Sequence, residues 1–518
     1  MYQSNSVACR CFAWHKWTLQ HPPMTAQTSN NPASDQTVSP PAYTPPRPQA
    51  LSPIVSLVRL IMQGDGDLLS LLPADAYRMP MGHLGYSRRQ TLIVNDPQLY
   101  KPILLDPTDS YPKNDLMVDA LAPLVGNSIF VSSGDEWRRQ RRMVDPTFSH
   151  MRLGAAFPAM AAGVAAYEAE LDALATSGEA FSLDLAMSHL TADIICRTVF
   201  STSFDTRASR EVFDAFALFE RSVAQVEWKR LIFDAAWTPV PQKPQVQAAC
   251  QHIRTLLGEM LDTHQQQAIP PNDICTEIVN ARDAETGKTF SHDELIDQLG
   301  VMFLAGHETS ASALTWVFFI LTQQPQIVAR MRAEIDNVVG DGEVGFEHIR
   351  SLTFIRNVFR ETIRLYPPIT FIPRVALHAT KIGRFNVKRG AMIMISPWTI
   401  HRNERYWKNA NVFDPDRFSV ERESELVAGA YLPFGLGPRV CVGAAFATTE
   451  ATLIMARLIR RFDFTALNAE TVRPVARLTT RPKTQVMLKV KARSNVVADR
   501  NPPLRTATGE TTSRVARN

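Results

Sequence analysis

A ten-residue run near the C-terminal end of the chain holds the side chains best suited to bind a metal: Phe434-Gly435-Leu436-Gly437-Pro438-Arg439-Val440-Cys441-Val442-Gly443. Its glycines and proline predict a tight turn just before a helix that begins near Gly443. At a helix N-terminus a cysteine thiolate is stabilised by backbone N–H groups and by the helix dipole, and thiolates bind soft metals. Arg439 can pair with a carboxylate, and Gly443 lets the backbone approach a flat ligand closely. The run therefore predicts a metal-binding thiolate at Cys441.

A second candidate run, Ala305-Gly306-His307-Glu308-Thr309-Ser310, lies inside a long apolar segment. An acid beside a hydroxyl needs a reason there, because a buried charge costs several kcal/mol unless it is paired or solvated. Gly306 in mid-helix costs about 1 kcal/mol relative to alanine, which indicates close approach of a neighbour or a local distortion. Taken alone, the residues also fit a structural role, in which Thr309 bonds to the preceding turn and Glu308 forms a salt bridge.

Charged and aromatic residues at helical spacing form the remaining candidates. Glu361 and Arg364 lie three residues apart on a helix predicted from about 351 to just before 367, so they can pair. An exposed pair of this kind is worth only ~0.5 kcal/mol. Trp137 and Arg141 lie one turn apart, so an indole N–H and a guanidinium can converge on one anion.

The elements that must position these residues are mainly helical. Ser291 and Glu294 form a capping-box pattern, apolar residues continue to Leu321, and Pro325 is predicted to stop the helix. At ~1.5 Å per residue this helix is about 50 Å long, and its apolar middle predicts burial on nearly every side. Helices are also predicted over 156–175, 245–266 and 443–461. Small sheets are expected near the N-terminal side, from a hairpin of 77–82 and 90–95, a second of 384–387 and 392–396 with its turn at 388–390, and a β element near 484–490.

Composition limits the class of protein. With 45% hydrophobic and 20% charged residues, a sizeable core is expected. The formal charge of +4 comes entirely from residues 491–518, where six Lys or Arg face two acids, so no global basic field indicates nucleic acid. Six scattered cysteines favour a reducing compartment, and no run of ~18 apolar residues predicts a membrane span. We expect a cytoplasmic protein.

Both ends of the chain are predicted to be disordered. Eight prolines lie between Pro22 and Pro48 among polar residues, and such a stretch buries too little apolar surface to offset its ordering cost. Met24 can serve as a start of its own, which would make Met1–Pro23 a mis-assigned leader. The segments 1–49 and 492–518, the second a basic tail, are expected to flank one domain over 50–491.

The run around Cys441 resembles the haem-binding loop of the cytochrome P450 family, Phe-x-x-Gly-x-Arg-x-Cys-x-Gly. The resemblance implies that Cys441 is the axial thiolate, that Arg439 contacts a haem propionate, and that Phe434 packs beside the sulfur. A thiolate ligand favours O–O cleavage. In the family the acid–alcohol pair, here Glu308 and Thr309, delivers protons to iron-bound oxygen.

The other motifs also match this family. The resemblance implies propionate contacts from Trp137, Arg141 and Arg374. It also implies a network of Glu361, Arg364 and an arginine from a Pro-x-Arg-Phe segment, here Pro415-Asp416-Arg417-Phe418. This network, a structural lock, is expected to hold the haem loop; Asp416 replaces a more common Glu. Ser310 stands where Thr or Ser occurs, and His307 is expected to pack without binding iron. By analogy the substrate pocket draws on Ala305, Ile369 and Phe371, and on parts of 111–130, 213–240, 369–372 and 478–480.

The resemblance implies a mainly α fold with small β-sheets, the cytochrome P450 fold, in one catalytic domain. The implied reaction is insertion of one atom of O2 into an apolar small molecule on haem b, by hydroxylation or epoxidation. Electrons are expected from a separate ferredoxin or similar donor with its reductase. Arg138, Arg139 and Arg142 form either a solvated helix face or a docking surface for that acidic donor. Two alternatives stay open, a peroxygenase or isomerase on the same fold and a non-catalytic haem-binding sensor.

Overall fold

The computed structural model describes residues 43–49, 67–84, 88–204, 206–223, 235–239 and 242–493, with the single positions 51, 52, 55, 58 and 233. Residues 1–42, with the predicted leader and the Met24 start, and the tail from 494 lie outside the described residues. Residues 43–49 were expected to be disordered, but they contact the domain. The Tyr43 carbonyl accepts from the Phe413 N–H at 2.9 Å, and the Pro46 carbonyl accepts from the Tyr366 hydroxyl.

α-Helices are the main elements of the described chain. They are α1 (Pro97–Leu104), α2 (Asp115–Val125), α3 (Gly134–Val144), α4 (His150–Ser177), α5 (Leu183–Phe200), α6 (Arg207–Val223), α7 (Pro244–Gln265), α8 (Ile274–Val279), α9 (His292–Thr322), α10 (Pro325–Val339), α11 (Thr353–Leu365), α12 (Pro397–Ile400) and α13 (Ala444–Arg461). The three helices predicted over 156–175, 245–266 and 443–461 correspond to α4, α7 and α13. Of the described helices, none combines the length and apolarity that crossing a membrane requires.

Short strands form four small sheets among the described residues. The strands are β1 (Met81–His83), β2 (Thr91–Val94), β3 (Phe181–Ser182), β4 (Ile372–Val375), β5 (Thr380–Ile382), β6 (Phe385–Val387), β7 (Met392–Ile395), β8 (Phe462–Ala466), β9 (Pro474–Ala476), β10 (Thr480–Pro482) and β11 (Met487–Ala492). The largest sheet has the order β1-β2-β7-β4, in which only the β2–β7 pair is parallel. The others are β3-β11-β8, β9-β10 and β5-β6.

Strand positions were predicted better than strand partners. The pairing of the first hairpin is confirmed, since β1 pairs antiparallel with β2 with Met81 opposite Val94. Its first strand begins at Met81, however, because Tyr77 ends a short 3-10 helix. The second hairpin is wrong, because β6 pairs with β5 and β7 lies between β2 and β4. The expected β element near 484–490 is confirmed as β11. Since β2 pairs with a strand 300 residues later, the sheets do not belong to the N-terminal side alone.

Helix α9 runs through the centre of the core. Its predicted capping box is confirmed: the Ser291 hydroxyl accepts from the Glu294 N–H at 3.3 Å, and the Glu294 carboxylate accepts from the Ser291 N–H at 2.7 Å. Nearly all of its residues are buried, as the apolar pattern predicted. The helix ends at Thr322, before Pro325, which instead begins α10 in its first turn.

The glycine in the middle of α9 marks the close approach of α5. A Cβ at Gly306 would lie 2.5 Å from Cδ1 of Ile195, which is closer than packed side chains allow. One residue further on, the His307 carbonyl accepts from the Thr191 hydroxyl of α5 at 3.0 Å. Of the two explanations offered by the sequence, the structure therefore shows close approach of a neighbour.

Replacing this glycine tests the α5–α9 contact. We expect Gly306→Ala to lower the free energy of unfolding by about 1 kcal/mol, because a steric cost of about 1–3 kcal/mol exceeds the gain in helix propensity. Adding Ile195→Val removes Cδ1 and should recover most of the loss. Denaturant unfolding of the two single variants and the double variant measures the coupling, and additive effects would contradict the contact.

Candidate active site

The loop before α13 is closed by its own backbone. The Cys441 N–H donates to the Phe434 carbonyl at 2.9 Å, and the Val440 N–H donates to the Gly437 carbonyl at 2.9 Å. Gly437 has a φ of +81°, and a Cβ there would lie 2.3 Å from the carbonyl oxygen of Leu104, at the end of α1. The tight turn predicted from the sequence is therefore fixed both by its own hydrogen bonds and by α1.

Cys441 is the exposed member of the four described cysteines, whereas Cys196, Cys250 and Cys275 are buried. Although the residue is open to solvent on one side, protein atoms crowd its sulfur, and this burial raises the pKa of the thiol. The Gly443 N–H, Arg141 and Lys113 act in the opposite direction without outweighing burial. The helix N-terminus thus stabilises the thiolate less than expected, and a metal ion on the sulfur would supply what is missing.

Four cations gather around this loop: Lys113, Arg141, Arg374 and Arg439. Arg439 lies 4.2 Å over the Trp137 ring and donates to the Ser132 carbonyl at 3.0 Å. Its second Nη atom is buried without a hydrogen bond, since the nearest carboxylate oxygen, on Asp109, is 3.9 Å away. Arg141 donates to the Val440 carbonyl at 2.7 Å and pairs with Asp145 at 2.5 Å.

The charge of this cluster is not balanced by the chain. Lys113 donates to the Phe130 carbonyl, and Arg374 donates to the Pro373 carbonyl. Within the described residues, neither cation has a carboxylate partner. Burial and the neighbouring guanidiniums lower the pKa of Lys113 far below its ordinary value. Burial, followed by mutual repulsion, lowers the pKa of Arg374 to about 10, and burial lowers that of Arg439 to about 10. A cluster of this kind fits a ligand with carboxylates, such as the two propionates of a haem, beside an open thiol.

The other arginines of α3 are paired within the chain. Arg138 contacts Asp109 and Asp135, Arg139 contacts Glu136 and Glu294, and Arg142 contacts Asp283 and Glu285. Their charge is therefore largely compensated, so neither a freely solvated face nor a strongly basic docking surface describes them well.

The acid and the alcohol in the middle of α9 have partners of their own. Glu308 is buried and accepts from Arg481 Nε at 2.9 Å and from the Thr479 hydroxyl at 2.5 Å. Burial raises the pKa of Glu308, but Arg481 outweighs burial, and the net shift is downward. The Thr309 hydroxyl donates to the Ala305 carbonyl at 2.7 Å, one turn earlier. Both contacts are those expected from the sequence if the two residues have a structural role: a salt bridge for Glu308 and a bond to the preceding turn for Thr309.

Two further acids lie close to α9. The Ser310 hydroxyl donates to Glu450 of α13 at 2.6 Å, which joins α9 to the cysteine helix, and burial raises the pKa of Glu450 to about 8. His307 is buried, and its Nε2 lies 3.5 Å from Oε1 of Glu220 on α6. The ring packs against aromatic side chains, as expected (Phe213, Phe216 and Phe303).

The predicted lock residues meet in the core. Arg364 donates to both oxygens of Glu361 at 2.6 and 2.8 Å, and Arg417 Nε lies 3.4 Å from the same carboxylate. All three residues are buried. Asp416, the departure from the family pattern, points elsewhere and pairs with Arg330 at 2.7 Å.

His401 connects this lock to the cysteine loop. Its Nδ1 lies 2.9 Å from the Arg364 carbonyl, and its Nε2 accepts from the Leu432 N–H at 3.0 Å, two residues before Phe434. Burial, with Arg364 nearby, lowers the pKa of His401 far below its ordinary value, so the ring is neutral. The charged lock is thus tied to the loop through one imidazole.

Two of the three predicted substrate residues, Ala305 and Ile369, are partly accessible. Ala305, Gly306 and Thr309 are partly accessible although most of α9 is buried, and their spacing puts them on one face of the helix. Ile369 is also partly accessible, whereas Phe371, just before β4, is buried at 7% exposure. The structure gives Ala305 the accessibility expected of a pocket residue and places Phe371 in the packed core.

Comparison with known proteins matches this architecture to one family. The family model described as Cytochrome P450 matches residues 51–490. Protein LUTEIN DEFICIENT 5, chloroplastic, of Arabidopsis thaliana is 32% identical over 400 residues, which is 74% of this chain and 66% of that protein. Cyclooctatin synthase of Streptomyces melanosporofaciens is 30% identical over 73% of this chain and 81% of its own. A solved cytochrome P450DA heme domain has a TM-score of 0.71 at 22% identity, covering 80% of this chain and 90% of that one.

The chain therefore belongs to the cytochrome P450 family, whose members are haem-thiolate proteins. Within that family it is a monooxygenase, as are relatives such as cyclooctat-9-en-7-ol 5-monooxygenase of Streptomyces melanosporofaciens, which is 30% identical over 403 residues, 76% of this chain and 84% of its own.

Sequence reasoning missed three residues of the site. Lys113 is a single lysine in a loop, and His401 and Arg481 lie far along the chain from the groups they contact. Lys113 lies in a Pro-Lys-Asn sequence before α2, and Arg481 lies in an Arg-Pro sequence after β9. Neither pattern indicates which group the side chain contacts.

Removing the linking imidazole should loosen the cysteine loop. His401→Leu leaves the Leu432 N–H and the Arg364 carbonyl buried without partners, at about 1–3 kcal/mol for each group. We expect the haem-loaded protein to lose about 2–4 kcal/mol of unfolding free energy and to release haem faster. Haem transfer to an excess of apomyoglobin measures the release rate. His378→Leu, at an exposed position, is the control; equal rates in the two variants would contradict the link.

Proposed function

We propose that the protein is a monooxygenase that holds haem b on Cys441 and inserts one atom of O2 into an apolar small molecule. The observation that carries the proposal is an accessible thiol beside four cations, two of which have no carboxylate partner among the described residues. The resemblance of this loop to the haem-binding motif of the family, to which the chain belongs, supports the assignment.

The residues around the loop divide the binding of the cofactor between them. Cys441 would hold the iron, and Arg439, Arg374, Arg141 and Lys113 would pair with the propionates, with Trp137 supporting the Arg439 guanidinium. Phe434 and Gly443 would border the sulfur. When bound, a thiolate-ligated haem supplies activation of dioxygen, with the second oxygen atom leaving as water.

Side chains of α9 would manage protons and water near that centre. The Thr309 hydroxyl gives its hydrogen to Ala305, so its oxygen is left to accept a hydrogen bond from a water or a protonated neighbour. Glu308, kept ionised by Arg481, would take up a proton and pass it on. The presence of both groups argues against the peroxygenase and isomerase alternatives.

The substrate class is proposed from the apolar residues on the accessible face and from relatives. Ala305 and Ile369 offer no charge to a ligand. Two relatives are named for cyclooctat-9-en-7-ol and pentalenene. A spin-state titration with these two compounds, dodecane and naphthalene tests the class; a charged compound that bound more tightly than all four would contradict it.

The electron donor and the compartment complete the proposal. We propose a ferredoxin with its reductase as donor, acting in the cytoplasm, where buried thiols such as Cys196 and Cys275 stay reduced. Product formation that requires the ferredoxin supports this function. Turnover with hydrogen peroxide alone would favour a peroxygenase, and dioxygen uptake without product would favour a sensor.

The ligand assignment is tested at the sulfur. Cys441→Ser should abolish the thiolate-type absorption band of the reduced carbon monoxide complex, because an alcohol does not replace a thiolate on iron. Val440→Ala, at the neighbouring exposed position, should keep the band. The same band in Cys441→Ser would disprove the assignment.

The role of the α9 hydroxyl is tested by its removal. Thr309→Ala should leave haem binding intact but lower product per dioxygen at least about tenfold, with peroxide rising in its place, since positioned proton transfer contributes about 10²–10⁴-fold. Thr315→Ala is the matched control, because Thr315 makes the same contact to Ala311 at 2.7 Å but is fully buried. Unchanged coupling in Thr309→Ala would show that the hydroxyl has no such role.

A further inference from the structure

Glu308 belongs to a cluster of four ionisable side chains that extends toward α6. The cluster consists of Glu220 on α6, His307 and Glu308 on α9, and Arg481 on β10. One ligand atom each of Glu220, His307 and Glu308 lies within 4.8 Å of the other two. Arg481 already neutralises Glu308, so a metal ion there would have to displace a guanidinium. The cluster is better suited to share protons.

His307 is held in one orientation. Its Nδ1 lies 2.7 Å from the Phe303 carbonyl, which can only accept, so Nδ1 carries a hydrogen. The other nitrogen, Nε2, faces Oε1 of Glu220 at 3.5 Å, and this oxygen is buried without a hydrogen bond. Aromatic rings cover the remaining sides of the imidazole. Glu220 is therefore the ionisable group on α6 that Nε2 can exchange a proton with.

Of the three residues, Glu220 on the α6 side is the most accessible to solvent. The Glu308 side chain is 6% exposed, that of His307 is 2% exposed, and that of Glu220 is 19% exposed. Glu220 thus connects a buried acid to the solvent. The 3.5 Å gap between Nε2 of His307 and Oε1 of Glu220 suits direct transfer after a small side-chain movement. A gap of up to 4.8 Å to Glu308 suits transfer through a bridging water.

We propose that Glu220 and His307 form the solvent-side half of a proton path that reloads Glu308. This inference rests on the proposed monooxygenase function and adds two residues and an entry point to it. A proton first leaves Nε2 of His307 and binds a Glu308 oxygen. The Glu220 carboxyl then returns a proton to Nε2, and water at Glu220 supplies its replacement. No electrons move in these steps.

The net pKa shifts of the two members of the pair have the same direction. Burial and the charge of Glu308 raise the pKa of Glu220. Burial lowers the pKa of His307, but the carboxylates of Glu220 and Glu308 outweigh it, and the net shift is upward. Arg481 faces both acids, Asp184 of α5 faces Arg481, and His189 of α5 lies beyond Phe213. Since both members hold their proton more tightly than usual, the supply should fail as pH rises.

The test measures proton-coupled consumption of dioxygen in the haem-loaded protein, driven by NADPH, a ferredoxin and its reductase. Glu220→Gln and His307→Gln should slow dioxygen uptake at least about tenfold and flatten its fall with rising pH. Glu220→Asp, which keeps the acid, should recover part of the rate. Glu211→Gln, on the same helix in an exposed pair with Arg207, should behave as wild type.

Infrared titration provides a readout independent of turnover. A protonated-carboxyl band that persists above the ordinary titration range of glutamate should disappear in Glu220→Gln, while a second band from Glu450 remains. If Glu220→Gln keeps the wild-type rate, pH profile and band, the proton path is wrong although the monooxygenase stands. If wild type with a thiolate spectrum takes up no dioxygen, the proposed function fails and the path fails with it.

Discussion

The buried guanidinium of Arg364 holds together the part of the molecule that presents the thiol. All five of its N–H donors are used: two on Glu361 and three on the carbonyls of His401, Ala410 and Val412. A fully buried charge is tolerated only when it is paired and hydrogen-bonded in this way, and removing one partner of such a pair costs about 3–5 kcal/mol. These bonds fix the backbone of segment 401–412. Because the Leu432 N–H donates to His401, they also fix the backbone that leads into the cysteine loop.

A second constraint is electrostatic and acts on the other side of that loop. Burial and, after it, the neighbouring guanidiniums lower the pKa values of Lys113, Arg374 and Arg439. Keeping such a cluster without an anion is costly, so it stores free energy that a dicarboxylate ligand recovers on binding. The thiol is in a comparable position, because burial disfavours its anion until a metal ion arrives. The carboxylates of a haem would thus neutralise the cations, and its iron would stabilise the thiolate.

The sequence predicted those parts of the fold and site whose information is local. The capping box of α9 depends on residues three positions apart, and the Cys441 turn on glycines within one loop. Partners distant in sequence were not predictable, because period and spacing carry no information about them. This is why the strand near Met392 was found but paired wrongly, and why Arg481 was not connected to Glu308, 173 residues away. Lys113 and His401 were missed for the same reason.

The hairpin of β9 and β10 has two duties that are usually considered separately. Thr479 and Arg481 of this hairpin hold the Glu308 carboxylate, and we propose, by family analogy, that Leu478 and its neighbours border the substrate. On this proposal a few residues would both shape what enters and set the charge state of the acid behind it. Divergence toward a new substrate through this hairpin would alter the yield of each catalytic cycle at the same time, so evolution here can rarely adjust selectivity alone.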